Sequence, residues 1–444
     1  MEPKMSNHKI TLVGGGSLGW TPRLFGNILQ TEFLNGAEVT LFDFNEEALS
    51  LVQGVCQKYI TQVGSQTTVK STIKRDVALQ GADAVVITIS TGGLTAMRHD
   101  LEIPEKYGIY QMVGDTVGPG GLSRALRNVP VFLDLAHAME EHCPNAWMLN
   151  CSNPLSALTR VVDRETSIKA VGVCHGVPNV AKNFAQFFGV DVGACAYVNS
   201  GIDHCAWFTD FFVQGESAID RLHAMGVEKW LEASVEVAEH DATFGGLARL
   251  CNGIRFGLDL GVLPAIGDRH LFEFLPGYLN NLDQMNRLGL VQTRVEDREK
   301  GKEDAQAKLE YSVNNNANVR IPQSSDNVAG WIAALLGGPV IEDNLNAPNI
   351  GQIPQLPAGA IVETRGVLDQ TGIRPLVSPL SRDLEAIIRP HVLREELTVD
   401  AALQGDFGMA LAAMKSDPLL ASPEMARPLL EELIAATKDW LPKF

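Results

Sequence analysis

The chain has 444 residues, 45% of them hydrophobic and 20% charged, a composition typical of a globular protein of two closely packed domains. Its formal net charge of −17 argues against nucleic acid or an anionic membrane as a partner, because both select basic surfaces. No apolar run is long enough to predict a transmembrane helix, and we expect no secretory signal. Seven scattered cysteines without a CxxC pair favour a reducing compartment, so we expect a cytoplasmic protein.

Strands and helices alternate along the first 200 residues. Apolar segments predict strands at Lys9–Val13, Val39–Phe42, Ala84–Ser90, Trp147–Asn150 and Ala170–Cys174. Helical spacing predicts helices between them at Thr21–Leu29, Glu46–Val63 and Leu122–Glu141. This alternation predicts an α/β fold with a doubly wound parallel sheet of the Rossmann type.

The pattern changes after about residue 200. A long helical stretch at Ser217–Glu239 mixes with loops, Ala360–Glu363 predicts a short strand, and Arg382–Trp440 is mostly helical. We therefore predict a nucleotide-binding Rossmann domain over residues 1–200. Residues 201–444 should form an α+β domain that carries substrate, metal and oligomer contacts.

A glycine-rich loop follows the first predicted strand and precedes the first helix. Glycines at positions 14, 16 and 19 match G-x-G-x-x-G, which lets the backbone approach a pyrophosphate at the helix N-terminus. Asp43 ends the next strand, where a carboxylate accepts hydrogen bonds from a ribose diol and repels a 2′-phosphate. The pattern favours NAD over NADP; the alternative is a glycine turn without a ligand. The expected cofactor contacts are Gly14, Gly15, Gly16, Ser17, Leu18, Asp43, Asn45, Ser90 and Asn153.

Two strand ends carry residues that bind metal ions. Cys174 ends one predicted strand, and His204 follows another apolar stretch. A thiolate and an imidazole from adjacent strand ends can hold one divalent ion, although a buried cysteine and a structural histidine remain the alternative.

Asp268 lies in a glycine-containing loop beside Arg269 and His270. A carboxylate in this setting is a candidate general base. The alternative is an aspartate that forms a turn or caps the N-terminus of a helix.

Several segments together resemble glycoside hydrolase family 4, over nearly the whole chain. They are Lys9–Ser17, Gly114–Gly121, Asn150–Pro154, Cys174–Val177, Gly201–His204, Gly351–Pro357 and Ile361–Glu363. The resemblance implies a fold related to lactate and malate dehydrogenases, NAD and usually Mn²⁺ as cofactors, and a homodimer or homotetramer. The family is an exception among glycosidases because it does not use two catalytic carboxylates.

The mechanism that the resemblance implies is a redox-assisted elimination. NAD takes a hydride from sugar C3, a base removes the C2 proton, and the leaving group departs from C1. Water then adds, and C3 is reduced again. The resemblance implies Cys174 and His204 as metal ligands, Asp268 as the base, and His175 as an acid near the leaving oxygen.

The sequence departs from the family pattern at two positions. Asp203 stands where the family leads us to expect Asn, and Asp115 stands where many members have Glu. An additional carboxylate at position 203 adds negative charge near the ion. Asn153, by contrast, matches a family position that meets the sugar hydroxyls near the metal.

The residue after Cys174 bears on the sugar. Members that act on 6-phosphosugars resemble Cys-Asp or Cys-Asn here, whereas Cys174-His175-Gly176 is similar to members that act on α-linked uronides. The resemblance therefore implies an α-galacturonide first and an α-glucuronide next, with a sulfonated or neutral α-hexoside as alternatives. A sugar carboxylate needs a cation or several donors, and the candidates in suitable loops are Arg98, His99, Arg124 and Arg269. The expected substrate contacts as a whole are Asn153, Arg98, Arg269 and His270.

Two other classes of protein share the predicted cofactor site. A simple NAD-dependent dehydrogenase would need no metal-binding Cys–His pair and would produce NADH in proportion to substrate. A non-enzymatic NAD-sensing protein would bind NAD and turn over no glycoside.

Overall fold

The structure, a computed structural model, describes residues 7–227, 231, 245–315, 318–323 and 326–444. The first part of the chain forms a parallel sheet with the strand order β6-β5-β4-β1-β2-β3. Its strands are β1 (Lys9–Val13), β2 (Glu38–Phe42), β3 (Thr68–Thr72), β4 (Ala84–Ile87), β5 (Trp147–Asn150) and β6 (Lys169–Gly172). The parallel pairing confirms the predicted Rossmann-type α/β class.

Helices alternate with these strands and cover the sheet. They are α1 (Trp20–Gln30), α2 (Glu46–Val63), α3 (Arg75–Leu79), α4 (Gly93–Glu105), α5 (Gly118–His142), α6 (Leu155–Glu165) and α7 (Gly176–Phe187). The sequence pattern did not predict β3, because its residues Thr-Val-Lys-Ser-Thr form a half-exposed edge strand without an apolar run.

The second part of the chain continues the same sheet with antiparallel strands in the order β10-β8-β7-β12-β11-β6. These are β7 (Cys195–Ile202), β8 (Cys205–Val213), β9 (Glu216–Ser217), β10 (Leu263–Pro264), β11 (Ile341–Pro348), β12 (Ile361–Asp369) and β13 (Gly372–Pro375). Strand β9 pairs with β8, and β13 pairs with β12. The sheet is thus continuous across residue 200, and the domain division at that point stays a prediction.

The remaining helices lie mostly in the C-terminal half. They are α8 (Ala218–Ala224), α9 (Cys251–Leu258), α10 (Asp268–Leu271), α11 (Leu282–Arg287), α12 (Val295–Asn314), α13 (Val328–Leu335), α14 (Arg382–Gln404), α15 (Phe407–Lys415) and α16 (Ala426–Thr437). The predicted helix Ser217–Glu239 corresponds to α8 at its start, and residues 228–230 and 232–239 lie outside the described part. Across the described residues, no helix is long and apolar enough to cross a membrane.

Alternate residues of the central strands face two different hydrophobic clusters. In β4, Val85 and Ile87 pack in the cluster that contains α5, whereas Ala84 and Val86 pack in the cluster that contains α1 and α2. Both faces of the strand are therefore buried, which explains why it reads as a continuous apolar run. The carboxyl ends of these strands remain the open edge of the sheet, where ligands bind in such folds.

A buried ion pair joins α4 to α5. Arg127 and Asp100 are both fully buried, and two parallel hydrogen bonds of 2.8 and 2.7 Å run from the guanidinium to the carboxylate. Arg127 also donates to the Ser123 hydroxyl at 2.9 Å. Because each charge has its partner, the pair fixes how the two helices meet behind the carboxyl end of β4.

Replacing Asp100 with alanine should lower the free energy of unfolding by about 3–5 kcal/mol, because Arg127 would stay buried without a counter-charge. Urea unfolding followed by circular dichroism measures the change. Lys70→Gln, in the exposed pair with Glu38, is the control and should leave the midpoint nearly unchanged. An Asp100→Ala midpoint equal to that of the wild type would contradict this role.

Candidate active site

The glycine loop after β1 turns tightly against β2. The backbone N–H groups of Gly14 and Gly15 both donate to the carbonyl of Phe42, at 2.9 and 2.8 Å. Gly14 has a φ of 90°, and a Cβ there would lie 2.7 Å from the hydroxyl of Thr88. A side chain is therefore excluded, and the backbone can come close to a ligand at the N-terminus of α1.

Asp43 closes one side of this loop. Its Oδ2 accepts a hydrogen bond from Gly16 N–H at 3.1 Å, and its Oδ1 accepts one from Asn45 N–H at 3.2 Å. A Cβ on Gly16 would lie only 2.9 Å from the same carboxylate oxygen. The loop and the carboxylate thus hold each other in place. The Asn45 side chain instead caps α2 by accepting from Ala48 N–H.

A cavity of about 530 Å³ opens beside Asp43. Its walls are largely apolar and include Phe44, which is 85% exposed, together with Val77 and Ile89. Apolar walls suit a nucleobase, and the carboxylate at the rim suits a ribose diol. The residues present therefore fit the adenosine half of a dinucleotide.

The other predicted cofactor contacts lie at the same edge of the sheet. Ser17 accepts a hydrogen bond from Trp20 N–H at the start of α1, and Leu18 packs against the α1–α2 cluster. Ser90 lies in the turn before α4, where its carbonyl accepts from Gly93 N–H. Asn153 lies further along this edge, after β5.

Cys174, Asp203 and His204 meet at the carboxyl end of β6. Their sulfur, carboxylate oxygen and imidazole nitrogen atoms all lie within 4.8 Å of one another, and all three residues are buried. Asp203 and His204 form the two-residue turn between β7 and β8, where His204 has a left-handed φ of 64°. A non-glycine residue with this φ is uncommon and is often found at a functional site.

The chemistry of this cluster fits a divalent cation. Both carboxylate oxygens of Asp203 are buried, and neither has a hydrogen-bond partner among the described residues. Burial raises the pKa of the Cys174 thiol and lowers the pKa of His204, which keeps the imidazole in the neutral form that binds metals. A bound cation would stabilise the thiolate and satisfy the orphaned carboxylate.

Asp115 and His270 extend the cluster on the other side of His204. The ligand atoms of Asp115, His204 and His270 also lie within 4.8 Å of one another, and the two imidazole rings stack at 3.8 Å. Asp115 accepts hydrogen bonds from the Thr116 hydroxyl at 2.8 Å and from Asn153 Nδ2 at 3.1 Å. The structure therefore brings Asn153 and His270, both predicted substrate contacts, next to the predicted metal ligand His204.

The electrostatics keep Asp115 ionised. Burial raises its pKa, but the positive charges of His270, Arg124 and His204 in the acidic range where this carboxyl titrates outweigh that effect and hold the pKa below its ordinary value. Arg124 also donates from Nε to the carbonyl of Asn153 at 2.9 Å. In the sequence, Asp115 stood out only as a departure from a family pattern.

Glu273, which sequence reasoning missed, holds the loop that carries Asp115. Its buried carboxylate accepts hydrogen bonds from Val113 N–H at 2.6 Å and Gly114 N–H at 3.0 Å. Burial raises the pKa of Glu273 to about 7. No local motif marks such a residue, because its partners are about 160 positions away in the chain.

The carboxylate of Asp268 accepts hydrogen bonds from the N-terminus of α9. Its Oδ2 accepts from the backbone and side-chain nitrogens of Asn252, at 2.8 and 2.9 Å, and its Oδ1 accepts from Gly253 N–H at 2.9 Å. Burial raises its pKa to about 7 in spite of these bonds. These bonds attach Asp268 to the start of α9, and its role as general base stays a prediction.

His175 lies next to Cys174 and is half-exposed. Its Nδ1 is 2.9 Å from Oδ1 of Asp326, and this hydrogen bond raises the pKa of the imidazole. Both Cys174 and His175 line a polar groove of about 500 Å³. The pairing with Asp326, which the sequence did not indicate, leaves Nε2 as the second proton-carrying nitrogen.

The two predicted arginine contacts differ in their surroundings. Arg98 donates to the carboxylates of Glu102 at 2.9 Å, Glu299 at 3.2 Å and Glu296, so its guanidinium is neutralised by α4 and α12. Arg269 donates to the Thr293 hydroxyl and lies close enough to Asp115 to interact with it electrostatically. The structure thus brings Arg269 towards the cluster and does not bring Arg98 there as an available cation.

Comparison with known proteins covers almost the whole chain. The model of the family 4 glycosyl hydrolases matches residues 9–190, and the model of their C-terminal domain matches residues 199–420. An α-galacturonidase of Lachnoclostridium phytofermentans is 32% identical over 461 residues, which cover 99% of this chain and 98% of that protein.

Solved structures agree with this relationship. The protein lplD of Bacillus subtilis, described as a glucosidase, has a TM-score of 0.86 at 30% identity and covers 96% of this chain and 99% of that one. A 6-phospho-α-glucosidase from gut microorganisms, in complex with NAD and Mn²⁺, has a TM-score of 0.82 at 19% identity, covering 98% and 99%.

The dehydrogenase-like fold is confirmed at lower similarity. A malate dehydrogenase of Plasmodium falciparum aligns with a TM-score of 0.50 at 13% identity over 89% of this chain and 98% of that one. Both halves of the sequence match the family models, and a relative above 30% identity spans the full length. The chain therefore belongs to family 4 of the glycosyl hydrolases.

Proposed function

We propose that this glycoside hydrolase is an NAD- and Mn²⁺-dependent α-galacturonidase. The observation that carries the proposal is the meeting of Cys174, Asp203 and His204 at the same sheet edge as the glycine loop and Asp43. The name of the Lachnoclostridium relative supports the choice of sugar, and the NAD and Mn²⁺ of the gut 6-phospho-α-glucosidase support the cofactors. A cytoplasmic homodimer or homotetramer stays a prediction from the sequence.

The residues of the chain divide the work in this proposal. The glycine loop and Asp43 bind the dinucleotide, and Cys174, Asp203 and His204 hold the ion. When bound, NAD supplies the hydride acceptor for sugar C3 and the ion polarises the neighbouring hydroxyl oxygens.

Substrate orientation falls to the residues around Asp115. Asn153, Asp115 and His270 offer amide, carboxylate and imidazole groups within reach of the sugar hydroxyls. Asp326 holds the ring of His175, which would give the proton from Nε2 to the leaving glycosidic oxygen.

The metal ligands can be tested by binding. Cys174→Ser and Asp203→Asn should each weaken Mn²⁺ binding about 10- to 100-fold, because each removes an anionic donor from the cluster. Titration of free Mn²⁺ by electron paramagnetic resonance measures the affinity. Cys195→Ser, a half-buried cysteine at the start of β7, is the control. Unchanged affinity in both site variants would remove these residues from the ligand set.

The role of Asp268 can be separated into its two interpretations. If it caps α9, Asp268→Asn should retain exchange of the sugar C2 proton with deuterated water, and Asp268→Ala should lower the free energy of unfolding by about 1–2 kcal/mol. Nuclear magnetic resonance of bound substrate and urea unfolding measure the two effects. Loss of C2 exchange in a stably folded Asp268→Asn variant would restore Asp268 as the general base.

The reaction itself is tested with p-nitrophenyl α-galacturonide, α-glucuronide and α-galactoside, with NAD, Mn²⁺ and a reductant omitted in turn. We expect release of p-nitrophenol from the galacturonide, with a requirement for both NAD and Mn²⁺. Stoichiometric NADH without cleavage would indicate a simple dehydrogenase. Cleavage of only the glucuronide or only the galactoside would change the sugar and retain the class of enzyme.

A further inference from the structure

One partly buried cation near the candidate site, Arg298, has no role so far. Helix α12 is strongly charged and mostly exposed, and its first residue Val295 is buried against Met97 and Leu101 of α4. Arg298 follows three positions later and therefore lies on the same face of the helix. Arg298 is partly buried, whereas its neighbours Asp297 and Glu299 are exposed, so this arginine is set apart from the exposed charges of α12.

The start of α12 is attached to the loop that carries Asp115. Thr293 N–H donates to the carbonyl of Met112 at 2.8 Å, and Gln292 Nε2 contacts the carbonyl of Gln111 at 3.3 Å. Arg269 donates to the Thr293 hydroxyl from the other side. These contacts place the guanidinium groups of Arg269 and Arg298 near Asp115, and burial lowers the pKa of each arginine while Asp115 raises it.

Arg298 lacks a partner for one of its donors. Its Nε is buried and has no hydrogen-bond partner among the described residues. Asp115 cannot supply the missing charge alone, because its oxygens already accept from Thr116 and Asn153 and it also faces Arg124. Three guanidinium groups interact with Asp115. Arg124 also faces Asp100 and Arg269 also faces Glu273, whereas Asp115 is the carboxylate that acts on Arg298. A buried cationic donor of this kind calls for an anionic ligand.

We propose that Arg298 binds the carboxylate of the sugar acid and thereby sets the preference for uronides, with Arg269 as its neighbour. The inference rests on the proposed function, because it assigns the anionic substituent of that substrate. It differs from the prediction made from the sequence, in which Arg98 was a candidate. Arg98 is neutralised by three glutamates, whereas Arg298 has a buried donor that is available for a planar carboxylate.

The test is equilibrium binding of galacturonic acid and of galactose to the protein loaded with NAD and Mn²⁺. Arg298→Gln should weaken binding of galacturonic acid about 10- to 100-fold and leave binding of galactose within about twofold, because only the acid carries the carboxylate. Arg298→Lys keeps the charge and loses the planar guanidinium, so its affinity for galacturonic acid should lie between those of the wild type and Arg298→Gln. Arg294→Gln, at the exposed N-cap of α12, is the matched control and should match the wild type.

The outcomes separate this inference from the proposed function. Equal affinity of the wild type and both Arg298 variants for galacturonic acid would overturn the role of Arg298 and leave the enzyme class intact. Equal loss of both sugars would make Arg298 a structural residue and overturn its role in specificity. A wild-type protein that binds galactose more tightly than galacturonic acid would overturn the uronide preference itself.

Discussion

The candidate site depends on how the two halves of the chain share one sheet. Strand β11 adds to the edge of the parallel sheet where Asn346 pairs with Gly172 at the end of β6. A Cβ on Gly172 would lie 2.2 Å from the Leu155 side chain and 2.9 Å from Cβ of Asn346, so only glycine allows this approach. Strand β12 then pairs with β7, and the turn after β7 comes to lie beside Cys174.

A buried polar network reinforces this junction. Glu363 on β12 is fully buried and accepts hydrogen bonds from Asn344 at 2.6 Å and Asn346 at 3.1 Å, both on β11. Burial raises the pKa of Glu363 well above its ordinary value, and Asp203 adds to the effect. The network links the strands directly beneath the turn that carries Asp203 and His204. A slip of either strand would break both hydrogen bonds, so the network favours the observed register.

The charge around the candidate site differs from the charge of the molecule as a whole. The chain as a whole is acidic, and many of its arginines lie in exposed pairs with glutamate or aspartate, as Arg98 does. Around Asp115, however, three arginines gather beside the carboxylates: Arg124, Arg269 and Arg298. An acidic protein can therefore hold an anionic sugar, because low local dielectric strengthens the few charges that face the ligand.

The sequence by itself determined the features that depend on residues close together in the chain. The glycine loop, Asp43 and the alternation of strands and helices follow local rules for a dinucleotide-binding unit. The family resemblance identified Cys174 and His204 as the expected metal ligands. The comparisons confirm the family, the fold and the class of enzyme. The sequence pattern did not predict edge strand β3, because its mostly polar residues do not form an apolar run.

Only the tertiary structure decided which distant residues meet. It placed Asp115 and His270 against His204, Asp326 against His175, and Glu273 beneath the Asp115 loop. It also bound Asp268 to the start of α9, and it distinguished the neutralised Arg98 from Arg298, whose Nε is buried without a hydrogen-bond partner among the described residues. The physical reason is that burial, charge pairing and hydrogen-bond satisfaction depend on packing between separate elements, which local sequence patterns do not encode.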